Sequence, residues 1–146
     1  PPRSTPLYSS AASDVYKRQL AMSHDVRIMR QDRGFLCANE IQLGMTIPRP
    51  ELALFRHKIP ANSFFETVQL SKRWPGDAAL EAGIVQGLGS VDEISEIALK
   101  KAEELAPLAN DRKIFGAQKE MLYGQNAAIN TTHGPAHMLK NSKEFE

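Results

Sequence analysis

Glu40 is the side chain in this sequence with the clearest potential for acid–base chemistry, because it is a single carboxylate within an apolar run. The run extends from Arg33 to Pro48 and reads RGFLCANEIQLGMTIP. A carboxylate in such surroundings is poorly solvated unless another group pairs it, so its pKa is expected to rise toward neutrality. A general base that works at pH 7 needs a pKa in that range. From the spacing alone, a structural role is favoured over the role of general base. In that structural role, Glu40 caps the helix that begins near Pro50 or is solvated at a strand end.

Two short strands and a helix are predicted to position this carboxylate. Residues Val26–Met29 and Gly34–Ala38 are apolar and fit strands, with a polar turn between them. A helix is predicted over Pro50–Ile59, because proline suits the first helical position and Pro60 ends the helix. Glu40 therefore lies in the connection between the second strand and this helix.

Most of the remaining sequence is predicted to be helical. A helix over Ala61–Leu70 is expected to turn Phe65 and Val68 inward, and a short helix over Pro75–Ala82 is expected to end at a left-handed Gly83. The other predicted elements are a strand at Ile84 and Val85, a plain turn at Gly87–Gly89, a helix that is capped by Ser90 and Glu93 and stops near Pro107, and a last helix over 111–129.

The composition limits the kinds of partner and compartment. The 146-residue chain has a net charge of +1 and no basic stripe, so nucleic acid is not expected as a partner. No apolar run in the sequence approaches the length of a membrane span, and no segment has the layout of a signal peptide. The single cysteine, Cys37, cannot form an internal disulfide, which fits a reducing compartment. No metal site is predicted, because Gly134 and Pro135 break the helix that would align His133 with His137.

Several motifs in the chain resemble the enoyl-CoA hydratase/isomerase (crotonase) superfamily. They are LAMSHDVRIM at residues 20–29, DRGFL at 32–36, NEIQLG at 39–44, Ile47-Pro48, and AALEAGIV at 78–85. The motifs stand in the family's order and at about its spacing, and the similarity runs from Leu20 to about Gln125. Within the superfamily the chain is closer to the 3,2-enoyl-CoA delta isomerases, since the hydratases usually carry proline where this chain has Asn39.

The resemblance implies an α/β fold of the crotonase (ClpP-like) type, of which this chain carries the C-terminal part. That part is the last ββα spiral turn followed by a helical trimerisation region, so the chain should be mostly helical. Residues 20–130 are assigned to this domain, and residues 131–146 to a flexible tail. Residues 1–19 are expected to be a disordered, non-native leader such as a translated adapter sequence, with a native disordered or transit-type extension as the alternative.

The resemblance also implies a reaction in unsaturated fatty-acid oxidation. In the isomerases, the residue that matches Glu40 takes a proton from C2 of a 3-enoyl-CoA and returns it at C4, through a thioester enolate whose oxygen needs preorganised backbone donors. The family supplies those donors from two loops upstream of Leu20, so this chain is expected to be inactive alone. A hydratase would need a second glutamate at the position of Gln19. Enoyl-CoA hydratase chemistry, and a non-catalytic chain that only oligomerises, therefore stay open.

The same resemblance assigns the substrate-binding residues and the assembly. Asn39 and the turn that contains Gly44, Ile47 and Pro48 are expected to shape the acyl pocket. Lys119 matches a lysine that can approach the phosphates of coenzyme A, although a solvated helix lysine is the commoner case. No cofactor is expected beyond the coenzyme A of the acyl-CoA substrate. A homotrimer in the peroxisome or the mitochondrion is implied, and no targeting signal is readable in the chain.

Overall fold

The computed structural model of the chain describes residue 18 and residues 20–127, with side chains as far as Tyr123. Its strands are β1 (Ile28–Arg30), β2 (Phe35–Leu36), β3 (Trp74–Pro75) and β4 (Gly87–Gly89), and its helices are α1 (Arg49–Lys58), α2 (Ala61–Val68), α3 (Gly76–Glu81), α4 (Ile94–Leu105) and α5 (Arg112–Ala127). Two 3-10 helices cover Glu40–Leu43 and Ala106–Ala109. Helices dominate the described residues, as predicted.

The predicted helices around the centre of the chain are confirmed to within two residues at each end. Helix α1 carries Pro50 and Glu51 in its first turn, where proline is tolerated and a negative charge is favourable. Helix α3 is followed by Gly83, which adopts the predicted left-handed conformation with φ at +70°. Before α4, a carboxylate oxygen of Glu93 accepts a hydrogen bond from the hydroxyl of Ser90 at 2.6 Å. The two residues are thus linked as predicted, but the N-cap of α4 is Glu93 and no side chain there makes a capping hydrogen bond.

The prediction of a plain turn at Gly87–Gly89 is wrong, because these residues form β4. This strand runs parallel to β1, with Ile28 opposite Gly87. A Cβ added at Gly87 would lie 2.9 Å from Cδ1 of Ile28, and one added at Gly89 would lie 2.9 Å from Cδ1 of Ile97. The glycines thus permit close packing that no local propensity signals. The residues predicted as a strand just before them, Ile84 and Val85, are instead buried in a bend.

The second strand pair explains which face of α2 turns inward. Strand β2 pairs antiparallel with β3, and the buried Trp74 of β3 donates a hydrogen bond from its indole Nε1 to Oγ1 of Thr67 at 3.0 Å. Thr67 and Ser63 are buried on α2, whereas Phe65 is 59% exposed. The prediction that Phe65 turns inward is therefore wrong, because the face of α2 that packs against Trp74 is the one that carries the hydroxyl acceptor of Thr67. Val68 packs against the core as predicted.

The main apolar cluster lies before α4, and Tyr123 on α5 is buried outside that cluster. Its buried members are Met22, Ala38, Leu54, Phe55, Ile59, Trp74, Ala79, Ile84 and Val85. Helix α4 contributes no buried residue. Large apolar side chains remain exposed on α4, on α5 and between them, among them Leu99, Leu108, Ile114, Met121 and Leu122. The described residues thus form a packed region up to β4, followed by helices that leave several large apolar side chains uncovered.

Only one residue of the predicted leader is described. Arg18 is buried, with 6% of its surface exposed. Residues 1–17, residue 19 and residues 128–146 lie outside the described residues, and so do His133 and His137. At Arg18 the expectation of a disordered leader is not met, because this residue is helical and buried. The assignments of the leader and of the tail stay predictions for the residues outside the described ones.

Candidate active site

The turn after β2 buries Glu40 and exposes the apolar residues that follow it. Two successive backbone N–H groups donate to the carbonyl oxygen of Asn39, at 3.1 and 3.2 Å, and this closes the 3-10 helix on which Glu40 is the first residue. Glu40 is 3% exposed, but Ile41, Leu43 and Met45 are 48%, 49% and 59% exposed. The burial of Glu40 therefore comes from the conformation of the turn, and not from its apolar neighbours in the sequence.

The guanidinium of Arg18 holds the carboxylate of Glu40 at both oxygens. Nη1 of Arg18 donates to Oε2 at 3.1 Å, and Nη2 donates to Oε1. Nη2 also donates to Oε1 of Glu51 at 2.6 Å, and Nη1 donates to the carbonyl oxygen of Cys37 at 3.0 Å. The Cζ atom of Arg18 lies 5.1 Å from the centre of the Phe55 ring. One cation is thus shared by two carboxylates, and these three residues are called the Arg18 cluster below.

The Arg18 cluster bears on the sequence-based expectation that Glu40 is a poorly solvated carboxylate. That expectation required a carboxylate without a partner, and Arg18 pairs it. Burial acts to lower the pKa of Arg18, but the hydrogen bond to Glu40 and the charge of Glu51 outweigh it, so the pKa lies above its ordinary value. The guanidinium therefore stays protonated at any working pH.

A groove opens beside the Arg18 cluster. Its volume is about 470 Å³, and its walls include Phe35, Leu36, Cys37, Asn39 and Arg18. Burial raises the pKa of the Cys37 thiol above its ordinary value, against the opposing charges of nearby arginines, so this thiol has little thiolate character. The groove has the size and the mainly apolar walls that are common in small-molecule sites.

The other residues predicted to shape a substrate pocket lie on the segment between Glu40 and α1. Gly44 ends the 3-10 helix at a φ of +70°, with no atom within 4 Å of an added Cβ, so conformation rather than space requires glycine there. Ile47 is half-buried against the core, and Pro48 directly precedes α1. Gly44, Ile47 and Pro48 thus follow Glu40 along the chain, but among the residues predicted to shape the acyl pocket only Asn39 lines the groove.

Lys119 belongs to a different cluster. Its Nζ lies 2.7 Å from Oδ2 of Asp25, while Nζ of Lys58 lies 2.5 Å from Oδ1 and the hydroxyl of Tyr123 donates to Oδ1 at 2.7 Å. Lys58 also contacts the Tyr123 hydroxyl. This Asp25 cluster joins the segment before β1 to α1 and α5. Sequence reasoning missed it, because its members are up to 98 residues apart.

The groups of the Asp25 cluster shift one another's titration. Partial burial acts to raise the pKa of Asp25, but hydrogen bonds from Lys119, Lys58 and Tyr123 lower it well below its ordinary value. Burial lowers the pKa of Lys58 despite the nearby Asp25. Burial and the hydrogen bond to Asp25 raise the pKa of Tyr123. The network therefore favours an ionised Asp25 carboxylate and a neutral Tyr123 phenol. Such an arrangement links the three chain segments and is not suited to proton transfer.

Two further properties concern the described part of the chain only. No group of three or more His, Cys, Asp or Glu side chains comes together there in a way that could hold a metal ion. No helix within those residues combines the length and the apolar character needed to cross a bilayer.

Comparison with known sequences finds similar proteins over most of this chain but over only part of their own length. No family model matches. The chain is 35% identical over 117 residues to enoyl-CoA delta isomerase 1, peroxisomal, of Arabidopsis thaliana, which covers 79% of this chain and 47% of that protein. It is 30% identical to the Arabidopsis thaliana protein enoyl-CoA delta isomerase 2, peroxisomal, over 75% of this chain and 47% of that protein. The chain spans about half the length of the curated relatives it matches.

Comparison with solved structures finds the same fold. Human mitochondrial delta3-delta2-enoyl-CoA isomerase superposes with a TM-score of 0.65 and 21% identity, over 86% of this chain and 45% of that chain. An enoyl-CoA hydratase from Mycobacterium marinum superposes with a TM-score of 0.66 and 21% identity, over 88% of this chain and 54% of that chain. At these identities the structural likeness establishes the fold, and the two sequence relatives are delta isomerases by name.

Proposed function

We propose that the complete protein isomerises 3-enoyl-CoA to 2-enoyl-CoA. By its sequence similarity and its fold, the chain belongs to the enoyl-CoA hydratase/isomerase (crotonase) superfamily, and it carries the C-terminal part of that fold. The observation that carries this proposal is the buried carboxylate of Glu40 at the position that the resemblance assigns to the proton carrier. The relatives named above are isomerases, which supports this choice. Activity is proposed for the complete enzyme that contains this segment.

Glu40 is proposed to move one proton within the substrate. Its carboxylate takes the proton from C2, and the electron pair of the broken C–H bond enters the thioester as an enolate. The double bond then moves from C3–C4 to C2–C3, and the Glu40 carboxylic acid returns the proton to C4. Because the proton leaves and re-enters the same molecule, neither an oxidant nor a cofactor is needed, and coenzyme A acts only as part of the substrate.

The groove that Arg18 lines is proposed to take the reacting part of the acyl chain, although Glu40 itself is not among its lining residues. Asn39 and Leu36 line it, and the turn that carries Gly44, Ile47 and Pro48 connects Glu40 to α1. The proposed role of Lys119 at the coenzyme A phosphates is harder to reconcile with the structure, since its ammonium is 2.7 Å from Asp25. Lys119 would have to leave the Asp25 cluster to reach a phosphate.

Replacement of Glu40 by glutamine tests the proposal in a complete enzyme whose sequence from Arg18 onward is that of this chain. Glutamine keeps the size of the side chain but cannot take up the proton, so kcat for a 3-enoyl-CoA should fall about 10²–10⁴-fold, as for other acid–base residues. Because binding does not depend on the proton, KM should change little. Formation of the conjugated 2-enoyl thioester, followed by ultraviolet absorbance, measures both constants.

The matched control is Glu81→Gln on the exposed surface of α3, which makes the same chemical change away from Glu40 and should leave kcat unchanged. A Glu40→Gln enzyme that isomerises at the wild-type rate would contradict the proposal. Incubation of the same preparations with a 2-enoyl-CoA tests the hydratase alternative. The structural likeness to a hydratase is the reason to include this test. Water addition faster than isomerisation would favour that alternative, and a complete protein with neither activity would favour a non-catalytic role.

The assembly and compartment are proposed from the same resemblance. The exposed apolar side chains of α4 and α5 are suited to contacts between subunits, which supports the homotrimer that the family implies. Two of the curated relatives are peroxisomal by name, and this supports peroxisomal fatty-acid oxidation over the mitochondrial alternative.

A further inference from the structure

We infer that Glu51 is a positioning residue for Glu40: it holds the Arg18 guanidinium and thereby leaves the Glu40 carboxylate able to take up a proton. The inference rests on the proposed function of Glu40 as the proton carrier. Neither the motifs that resemble the superfamily nor the proposed reaction includes Glu51.

The geometry makes Glu40 and Glu51 competitors for one cation. Nη2 of Arg18 donates both to Oε1 of Glu40 and, at 2.6 Å, to Oε1 of Glu51. The side chains of Glu40 and Glu51 are 3% and 1% exposed, so water does not replace Arg18 at either of them. Glu51 is fixed on the first turn of α1, whereas Glu40 lies on a 3-10 turn. The helix thus presents a rigid second acceptor to the guanidinium.

This arrangement matters at the enolate intermediate. When Glu40 takes the proton from C2 it becomes a neutral acid and loses its attraction for Arg18. The guanidinium stays protonated, and a buried cation without a carboxylate partner is unfavourable. Glu51 keeps its negative charge through this step and continues to hold Arg18. The intermediate is therefore reached without leaving a buried charge unpaired, and this benefit applies to the chemical step rather than to substrate binding.

Two substitutions at Glu51 test the inference in the complete enzyme whose sequence from Arg18 onward is that of this chain. Glu51→Gln removes the second negative charge, so kcat for a 3-enoyl-CoA should fall at least about tenfold, with KM within about twofold of wild type. Glu51→Asp retains a carboxylate and should restore kcat to within about threefold of wild type. A residue that only packs would not distinguish these variants by charge. Equal kcat values for Glu51→Gln and wild type, or for Glu51→Gln and Glu51→Asp, would overturn the inference.

A double substitution shows whether the effect passes through Arg18. In an Arg18→Gln background there is no guanidinium to share, so adding Glu51→Gln should change kcat by less than about twofold. The same tenfold loss in that background would mean that Glu51 acts without Arg18, and the inference would be wrong. If Arg18→Gln does not fold, as judged by circular dichroism, the two Glu51 variants decide alone. Activity that survives Glu40→Gln would remove the proposed function, whereas loss in Glu40→Gln with full activity in Glu51→Gln would remove this inference only.

Discussion

The Arg18 cluster and the Asp25 cluster have opposite charge arrangements and differ in their exposure to solvent. In the first, one guanidinium is shared by two carboxylates, and every side chain is at most 5% exposed. In the second, one carboxylate is shared by two ammonium groups and a phenol, and the Asp25 side chain is 44% exposed. Charged groups cost far more to leave without a partner where water is excluded. Each charge in the Arg18 cluster is thus bound tightly to its partners, while in the Asp25 cluster solvent reaches Asp25 and Lys119 but hardly reaches Lys58.

Arg18→Met should cost more stability than any substitution in the Asp25 cluster. Methionine keeps much of the apolar stem but removes the guanidinium from which both buried carboxylates accept. Breaking a buried ion pair by removal of one partner costs about 3–5 kcal/mol. Urea unfolding followed by the fluorescence of Trp74, the single tryptophan, measures the change in free energy. A loss below about 1 kcal/mol would show that the Arg18 cluster behaves like a surface ion pair. The proposed energetic difference between the two clusters would then be wrong.

Asp25→Asn should cost less, about 1–2 kcal/mol. The substitution removes the carboxylate that faces Lys58, whose side chain is only 6% exposed, but solvent reaches Asp25 and Lys119 and replaces part of the lost interaction. The same urea titration measures the loss. A larger effect than that of Arg18→Met would reverse the order of the two clusters.

The pH dependence of that loss identifies its electrostatic part. The pKa of Asp25 is lower in the folded chain than its ordinary value, so the stabilisation is present above the unfolded pKa of about 3.9 and is lost as the pH falls toward the folded value. The difference in unfolding free energy between wild type and Asp25→Asn should therefore shrink between about pH 5 and pH 2. A difference that stays constant over this range would mean that packing, not charge, accounts for the effect.

Glu66→Gln should give the smallest effect. Glu66 pairs with Lys72 at 2.9 Å, and both side chains are more than 40% exposed. Such surface pairs contribute about 0–1 kcal/mol and are screened by salt. The variant therefore provides the lower reference for the same urea titration, and a cost equal to that of Asp25→Asn would show that exposure does not set the order.

Local patterns predicted much of the scaffold around Glu40. Proline at the start of α1 and Pro60 after it bounded that helix correctly, because proline restricts the backbone wherever it stands. Gly83 was placed in a left-handed conformation for the same kind of local reason. Phe65 was misplaced, since the inward face of α2 is chosen by a hydrogen bond from Trp74, a residue that lies beyond the helix. The glycines of β4 were predicted as a turn because their strand conformation depends on pairing with β1, which lies far away in the sequence.

The sequence by itself determined that one carboxylate, Glu40, stands in a turn between a strand and a proline-led helix, and its motifs identified the superfamily. Only the tertiary structure decided how that carboxylate is paired. Arg18 and Glu51 lie 22 and 11 residues from Glu40 along the chain, and no periodicity or spacing links the three. Turns and helix ends follow from backbone sterics, which act between neighbours. Charge pairing in a buried site follows from which groups the completed fold excludes from water together, and so it appears only when distant segments have packed.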